Sequence, residues 1–262
     1  MGARPIDLFS LGIFSLLLLV PVAIFLILRV PRIRSLLISF VRMVVQLTLV
    51  ALYLETIFRI NNPLINLGWI LVMVLVACGA ITSQSGLRLK RFLTPLAAAY
   101  LLSLASIFGA FFIVLEPQTL FSARYLIPLG GMILGNILRS NVITLDRYFN
   151  GLRKRPEEYI TTLSMGASAW EARKPFMADA LKAAVSPQIA TIATMGLVSL
   201  PGMMTGQILG GNSPAVAIQY QILIMIAIFT TATLSSFLGM ILASRRAFDP
   251  CQRLRTGLFH SR

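Results

Sequence analysis

Apolar and polar positions alternate in long blocks along this chain. Apolar runs cover roughly 8–28, 35–58, 67–85, 94–115, 125–145, 181–200 and 216–243. Each is close to the 20 or so residues a helix needs to cross a hydrocarbon core. The polar blocks between them are unequal. Arg29, Arg32 and Arg34 follow the first run, and Arg88, Lys90 and Arg91 follow the third. Arg147, Arg153, Lys154, Arg155, Arg173, Lys174 and Lys182 follow the fifth, and Arg245, Arg246, Arg253, Arg255 and Arg262 lie in the tail. Eighteen of the 23 basic residues therefore share one side of a seven-helix arrangement, against Arg4, Arg59 and Arg124 on the other. Positive charge collects on the cytoplasmic side. The pattern predicts an all-α polytopic membrane protein of about seven transmembrane helices, N-terminus out and C-terminus in. Residues 1–262 then form a single transmembrane domain, with a cytoplasmic segment at 147–186 and a basic cytoplasmic tail at 244–262.

Composition agrees, with 57% hydrophobic and 12% charged residues. The formal net charge of +14 does not point to nucleic acid, because the basic residues flank apolar runs, where topology and anionic lipid account for them. The first run is long for a signal-peptide core and is followed by arginines rather than a small-residue cleavage site, so it reads as a retained helix. Cys78 lies in a span and Cys251 in the tail, which predicts no disulfide framework. His260 sits at the solvated C-terminus.

The chain has no G-x-x-x-x-G-K-[ST] loop, HExxH or GxSxG. The glycines of 130–135 and 202–211 lie in apolar context, without the strand–turn–helix setting that phosphate binding uses. Catalysis by this chain alone is not expected; transport, or a subunit of a transporter, is.

The segment 147–186 is patterned. Pro156 suits the first position of a helix, and Glu157 and Glu158 favour its positive end. Tyr159, Leu163 and Trp170 recur at near-helical spacing, Gly166 offers a left-handed stop, and Ser168 with Glu171 reads as a capping box. The prediction is a short helix, a glycine turn and a second short helix. From the residues alone this is either an amphipathic element lying in the membrane interface or a helix that docks on a partner.

Polar residues inside the spans are candidates for a path. Arg42 and Gln46 share a face of the second span with Leu49, Tyr53 and Thr56. Glu55 lies on the opposite face near the outer end, where it either meets a passing cation or pairs with Arg59 four residues on. Asn136, Arg139, Ser140 and Asn141 occupy the inner half of the fifth span, and Gly131-x-x-x-Gly135 suits close helix packing. The uncharged stretch 201–214 carries Gly202, Gly206 and Gly210 between Pro201 and Pro214. It is either a smooth glycine face or a hinge or re-entrant segment. Met203 and Met204 could each offer a thioether to a soft cation or simply fill space, with Gln207 adding an oxygen nearby. Glu55, Met203 and Met204 are the candidate metal ligands.

Several of these residues also carry a resemblance. GLVSLPGMMTG (196–206), Ser213-Pro214 and AIQYQI (217–222) resemble the signature of a seven-helix ABC-transporter permease family. This is the family of bacterial iron exporters and plant aluminium-tolerance permeases. Arg42-x-x-x-Gln46-Leu47, the run from Pro128 to Asn136 and Leu163-Ser164-Met165-Gly166-Ala167 are similar to it as well. The resemblance implies a permease of a bacterial inner membrane that exports iron or a related metal, in an assembly of two permeases with two separate ATPase subunits. ATP and Mg would bind those partners and no cofactor this chain. Glu158, Leu163, Gly166, Ala167 and Trp170 would couple to the ATPase. The broader importer motif is matched poorly: Glu158 stands eight residues before Gly166 rather than six, and Pro187 comes late, so import is not supported. Two alternatives stay open, a permease for a non-metal cargo and an ion-coupled secondary carrier. A carrier calls for inverted repeats and a midplane carboxylate, and no convincing repeat is present.

Overall fold

The computed structural model describes residues 7–114, 121–255 and 257. Among them there is no strand, and the helices follow the apolar runs. We number them α1 (Phe9–Ile27), α2 (Ile33–Ile60), α3 (Pro63–Gln84), α4 (Leu89–Val114), α5 (Ala123–Lys154), α6 (Pro156–Ser164), α7 (Ala169–Thr194), α8 (Gly202–Leu209) and α9 (Pro214–Ala247). Local chemistry sets their ends. Asn61 closes α2 in the left-handed conformation, with φ 44°, as asparagine tolerates. Asn62 and Ser213 cap α3 and α9 through their side chains, each followed by a proline at the first helical position, which loses no hydrogen bond there.

Six of the predicted spans are helices long and apolar enough to cross a membrane: α1 to α5 and α9. The run at 181–200 takes a different form. It is the second part of α7, which starts at Ala169 and runs unbroken to Thr194. Residues 195–201 then leave the helix and lead into the short α8. The predicted second short helix is therefore 26 residues long. Its alanine-rich middle, from Ala178 to Ala184, carries high helix propensity and holds it together past Pro175 and Pro187.

The bundle centres on α5, which packs against α3, α7 and α9, with α4 filling the angle between α3 and α9. Half of the apolar window of α5 is buried inside the chain, against none of α1 or α2. Those two helices turn their apolar side chains outward, where lipid is as good a solvent as protein. Where α2 meets the rest it does so near its end. Tyr53 stacks on Trp69 at 4.4 Å between ring centres, and Asn61 Oδ1 accepts the backbone N–H of Ala123 at 2.8 Å.

Polar contacts fix the register of α5. Asn141 Nδ2 donates to Ser235 Oγ at 2.9 Å, Thr144 Oγ1 to Ser236 Oγ at 3.1 Å, and Tyr148 and Ser244 share a hydrogen bond of 2.8 Å. Pair numbers rise together, so α5 and α9 are parallel. On the other flank Ser140 meets Gln188 while Arg155 meets Asp179, so α7 runs antiparallel between them. Hydrogen bonds of this kind in membranes are worth about 0.6 kcal/mol on average and at most about 1.7. A cycle of Asn141→Ala, Ser235→Ala and the double variant, read by unfolding in mixed micelles, is expected to give a coupling energy in that range. Additive losses would mean that the pair does not form.

Glycines allow the closest approaches. A Cβ at Gly130 would overlap Ile70 of α3, and one at Gly131 would lie 3.1 Å from Met73 Cε. Gly135, Gly202 and Gly206 face open space within the chain. Gly130 and Gly131 thus sit where α3 approaches α5.

Candidate translocation site

Two cavities meet where α5, α7, α8 and α9 converge. The first, of about 580 Å³, is lined by Asn136, Arg139 and Ser140 of α5, Gln188 of α7, Met203 of α8 and Gln221 of α9, with apolar side chains between them. The second, of about 610 Å³, is almost wholly apolar and includes Met204. The two share Pro201 and Gln221. Adjacent positions on a helix point about 100° apart, which is how Met203 and Met204 come to face different cavities.

The irregular stretch 195–201 forms part of the wall. Gly196 has φ +86°, a conformation glycine adopts without penalty. Its N–H donates to the Ser199 carbonyl at 3.0 Å, closing a tight loop that leaves Leu197 and Val198 exposed. Pro201 then starts α8, so 201–214 is a short helix and a glycine turn rather than one smooth face. Gly210 and Gly211 end α8, with Gly211 at φ +99°.

Polar groups in the first cavity are only partly engaged. Gln188 Nε2 donates to Ser140 Oγ at 2.6 Å, and Asn136 Nδ2 to the Met132 carbonyl at 2.9 Å. The amide oxygens of Gln188 and Gln221 are buried without a partner, as is that of Gln207 on α8. Neither Gln188 nor Gln221 stood out in the sequence as a path residue, although each is an amide in a largely apolar run, and that was the signal available.

The structure thus brings Asn136, Pro201, Gly202 and Met203 to one cavity and Met204 to its neighbour. Arg42, Gln46 and Glu55, all on the exposed α2, line neither. Glu55 instead lies 3.6 Å from Arg59, with both side chains largely in the open. Among the described residues no three His, Cys, Asp or Glu side chains come together.

At the basic end α6 and α7 form a hairpin. Gly166 turns the chain with φ +90°, and Met165 beside it is 82% exposed. Leu163 is partly buried against the core. Tyr159 packs its ring on Phe176 and Phe248 and donates its hydroxyl to the Gln252 carbonyl at 3.1 Å. The start of the tail is thereby pinned beneath the hairpin, and Arg173 lies over Phe248 at 5.1 Å. Trp170 belongs to the second helix and meets Phe237 of α9 at 6.3 Å. Glu158 pairs with Arg155 at 3.0 Å. The capping box is complete: Glu171 Oε2 accepts from the Ser168 N–H at 2.8 Å and its hydroxyl at 2.7 Å. Those hydrogen bonds hold the Glu171 carboxyl below its ordinary value. Their contribution is present above that ordinary value and is lost as pH falls through the lowered one.

Residues 8–248 match the family described as "Uncharacterised protein family (UPF0014)". The chain belongs to that family. Among UPF0014 relatives, it is 34% identical over 214 residues to "UPF0014 membrane protein slr1647" of Synechocystis, covering 81% of this chain and 83% of the relative. It is 32% identical over 224 residues to "Protein ALUMINUM SENSITIVE 3" of Arabidopsis thaliana, covering 84% and 80%. It is 28% identical over 217 residues to "Probable iron export permease protein FetB" of Escherichia coli, covering 81% of each. No solved structure matches. The expected family is thus the one found, and this UPF0014 chain is an integral membrane protein of a family that includes a permease.

Proposed function

We propose that the chain is the permease subunit of an ABC transporter that exports iron or a related metal ion, driven by ATP and Mg on a separate ATPase. The protruding turn at 165–167 carries this reading. It is an exposed apolar tip on a hairpin anchored by Tyr159, Phe176 and Phe248, the form of an element built to be gripped. Seven crossings follow if α7 and residues 195–201 return the chain between the parallel α5 and α9. The basic end then faces the cytoplasm, placing the turn where a soluble ATPase reaches it. A pair of permeases with a pair of ATPases in the inner membrane completes the assembly. The named iron-export relative supports the cargo class. A proton-coupled carrier is less well served, because Glu55 is paired with Arg59 on an exposed face and neither cavity is lined by a carboxylate. Purifying the chain from its host in mild detergent, with mass spectrometry of what accompanies it, is expected to recover a near-equimolar ATPase. Recovery of the permease alone would overturn the ABC assembly.

A further inference from the structure

The broken stretch between α7 and α8 bears on what surrounds the two cavities. Residues 195–201 leave the helix after Thr194 and line cavities shared with Met132 of α5 and with Gln221 and Met225 of α9. Met132 stands eight residues inside Arg124 and 15 before Arg147, about 12 and 22 Å along α5. Those distances put the stretch within a hydrocarbon core of about 30 Å. Among the described residues, the carbonyls of Gly196, Leu197 and Val198 and the N–H of Leu200 meet no hydrogen-bond partner. Leu197 is 91% exposed and Val198 81%. Irregular backbone at that depth is not left against lipid; protein covers it, or it lines a watery space that protein walls off. Helices α1 and α2 are exposed as well, but their backbone bonds close within each helix, so lipid can cover them.

The second observation is the shape and charge of the surface around that stretch. The apolar cavity is walled by Met195, Gly196 and Leu200 of the stretch and by Ile218, Ile222 and Ile226 of α9. Two projecting apolar side chains thus stand at the rim of an open apolar pocket, at the same depth in the membrane. A knob beside a hole suits a two-fold contact, in which each copy fills the other. From 183 to 244 the chain carries no Asp, Glu, Lys or Arg. A two-fold axis brings a surface against its own likeness, so any charge there would face its own sign. This surface has none to oppose.

We propose that a second copy of this chain packs on this face across a two-fold axis, seating its own Leu197 and Val198 in the apolar cavity. The cavity is then open in a single chain and closed only in the pair. This rests on the permease reading above, which pairs two such chains, and names the surface through which they meet.

The test uses the full chain in its host membrane, with Cys251→Ser removing the exposed cysteine; Cys78 is fully buried. Two differently tagged forms are co-expressed, one with Leu197→Cys and the other with Ile222→Cys, and treated with a short bismaleimide. A cross-linked dimer carrying both tags is expected, at least tenfold more abundant than when Val45→Cys, on the exposed α2, replaces Leu197→Cys. Single-molecule photobleaching in liposomes should count two chains per complex, and one for Leu197→Asp. Absence of the mixed-tag dimer, equal cross-linking from Val45→Cys, or single chains for the unaltered protein would each overturn the proposal. The last result would leave the face to lipid or to a different membrane protein. A chain that captures an ATPase but fails these tests loses only this surface. One that passes them without an ATPase loses the ABC assembly instead.

Discussion

Gly166→Arg is expected to abolish export and the recovery of an ATPase while leaving the protein inserted and monodisperse. Two effects combine. At φ +90° a side chain strains the backbone by about 1–2 kcal/mol. The larger effect is steric. A Cβ at Gly166 meets nothing within 4 Å in this chain, so arginine projects outward beside the exposed Met165, into the volume a partner would occupy. Gly166→Asn separates the two, because asparagine tolerates the left-handed conformation and is shorter. It should keep most of the coupling. If Gly166→Arg still bound an ATPase and exported normally, the tip would have no docking role.

Gly239→Leu is expected to be the most damaging single change within the bundle. A Cβ at Gly239 would lie 3.0 Å from Asn141 Oδ1 and 3.7 Å from Leu96 Cδ2, and both those residues are fully buried. Overpacking of this kind costs about 1–3 kcal/mol, and here it also pushes Asn141 from its hydrogen bond with Ser235. Thermal unfolding in detergent should show a clear loss of stability, with a smaller loss for Gly239→Ala. A Gly239→Leu protein as stable as the parent would mean that α5 and α9 are not in this register.

Six of the spans, α1 to α5 and α9, were legible because a bilayer demands a long unbroken apolar run, which the sequence pattern reveals. Where they end was harder. The fifth apolar run stops near 145, but α5 continues to Lys154 because Tyr148, Phe149 and Leu152 keep an inward-facing stripe among the charges. The hairpin at 156–171 was legible almost residue by residue, since a proline start, a glycine stop and a capping box are local signals. The cavity was legible from one side only. Asn136, Arg139 and Met203 stand out as polar or soft groups in apolar context, but their union with Gln188 and Gln221 depends on how four helices cross, and no local pattern encodes that. The glycines show the same limit. Spacing drew attention to Gly131 and Gly135, whereas the contacts tightest on a neighbouring helix are at Gly130 and Gly239.

One helix, α7, carries both the capped second arm of the hairpin and Gln188 in the cavity wall. The stretch from Ser168 to Gln188 is about 30 Å of continuous helix, with no linker to take up slack. Tilting such a rod by about ten degrees at one end carries the other through about 5 Å. A grip at the hairpin would therefore work as a lever on the cavity with almost no backlash. Pro175 and Pro187 are the two places where the rod can flex, so they set its gearing.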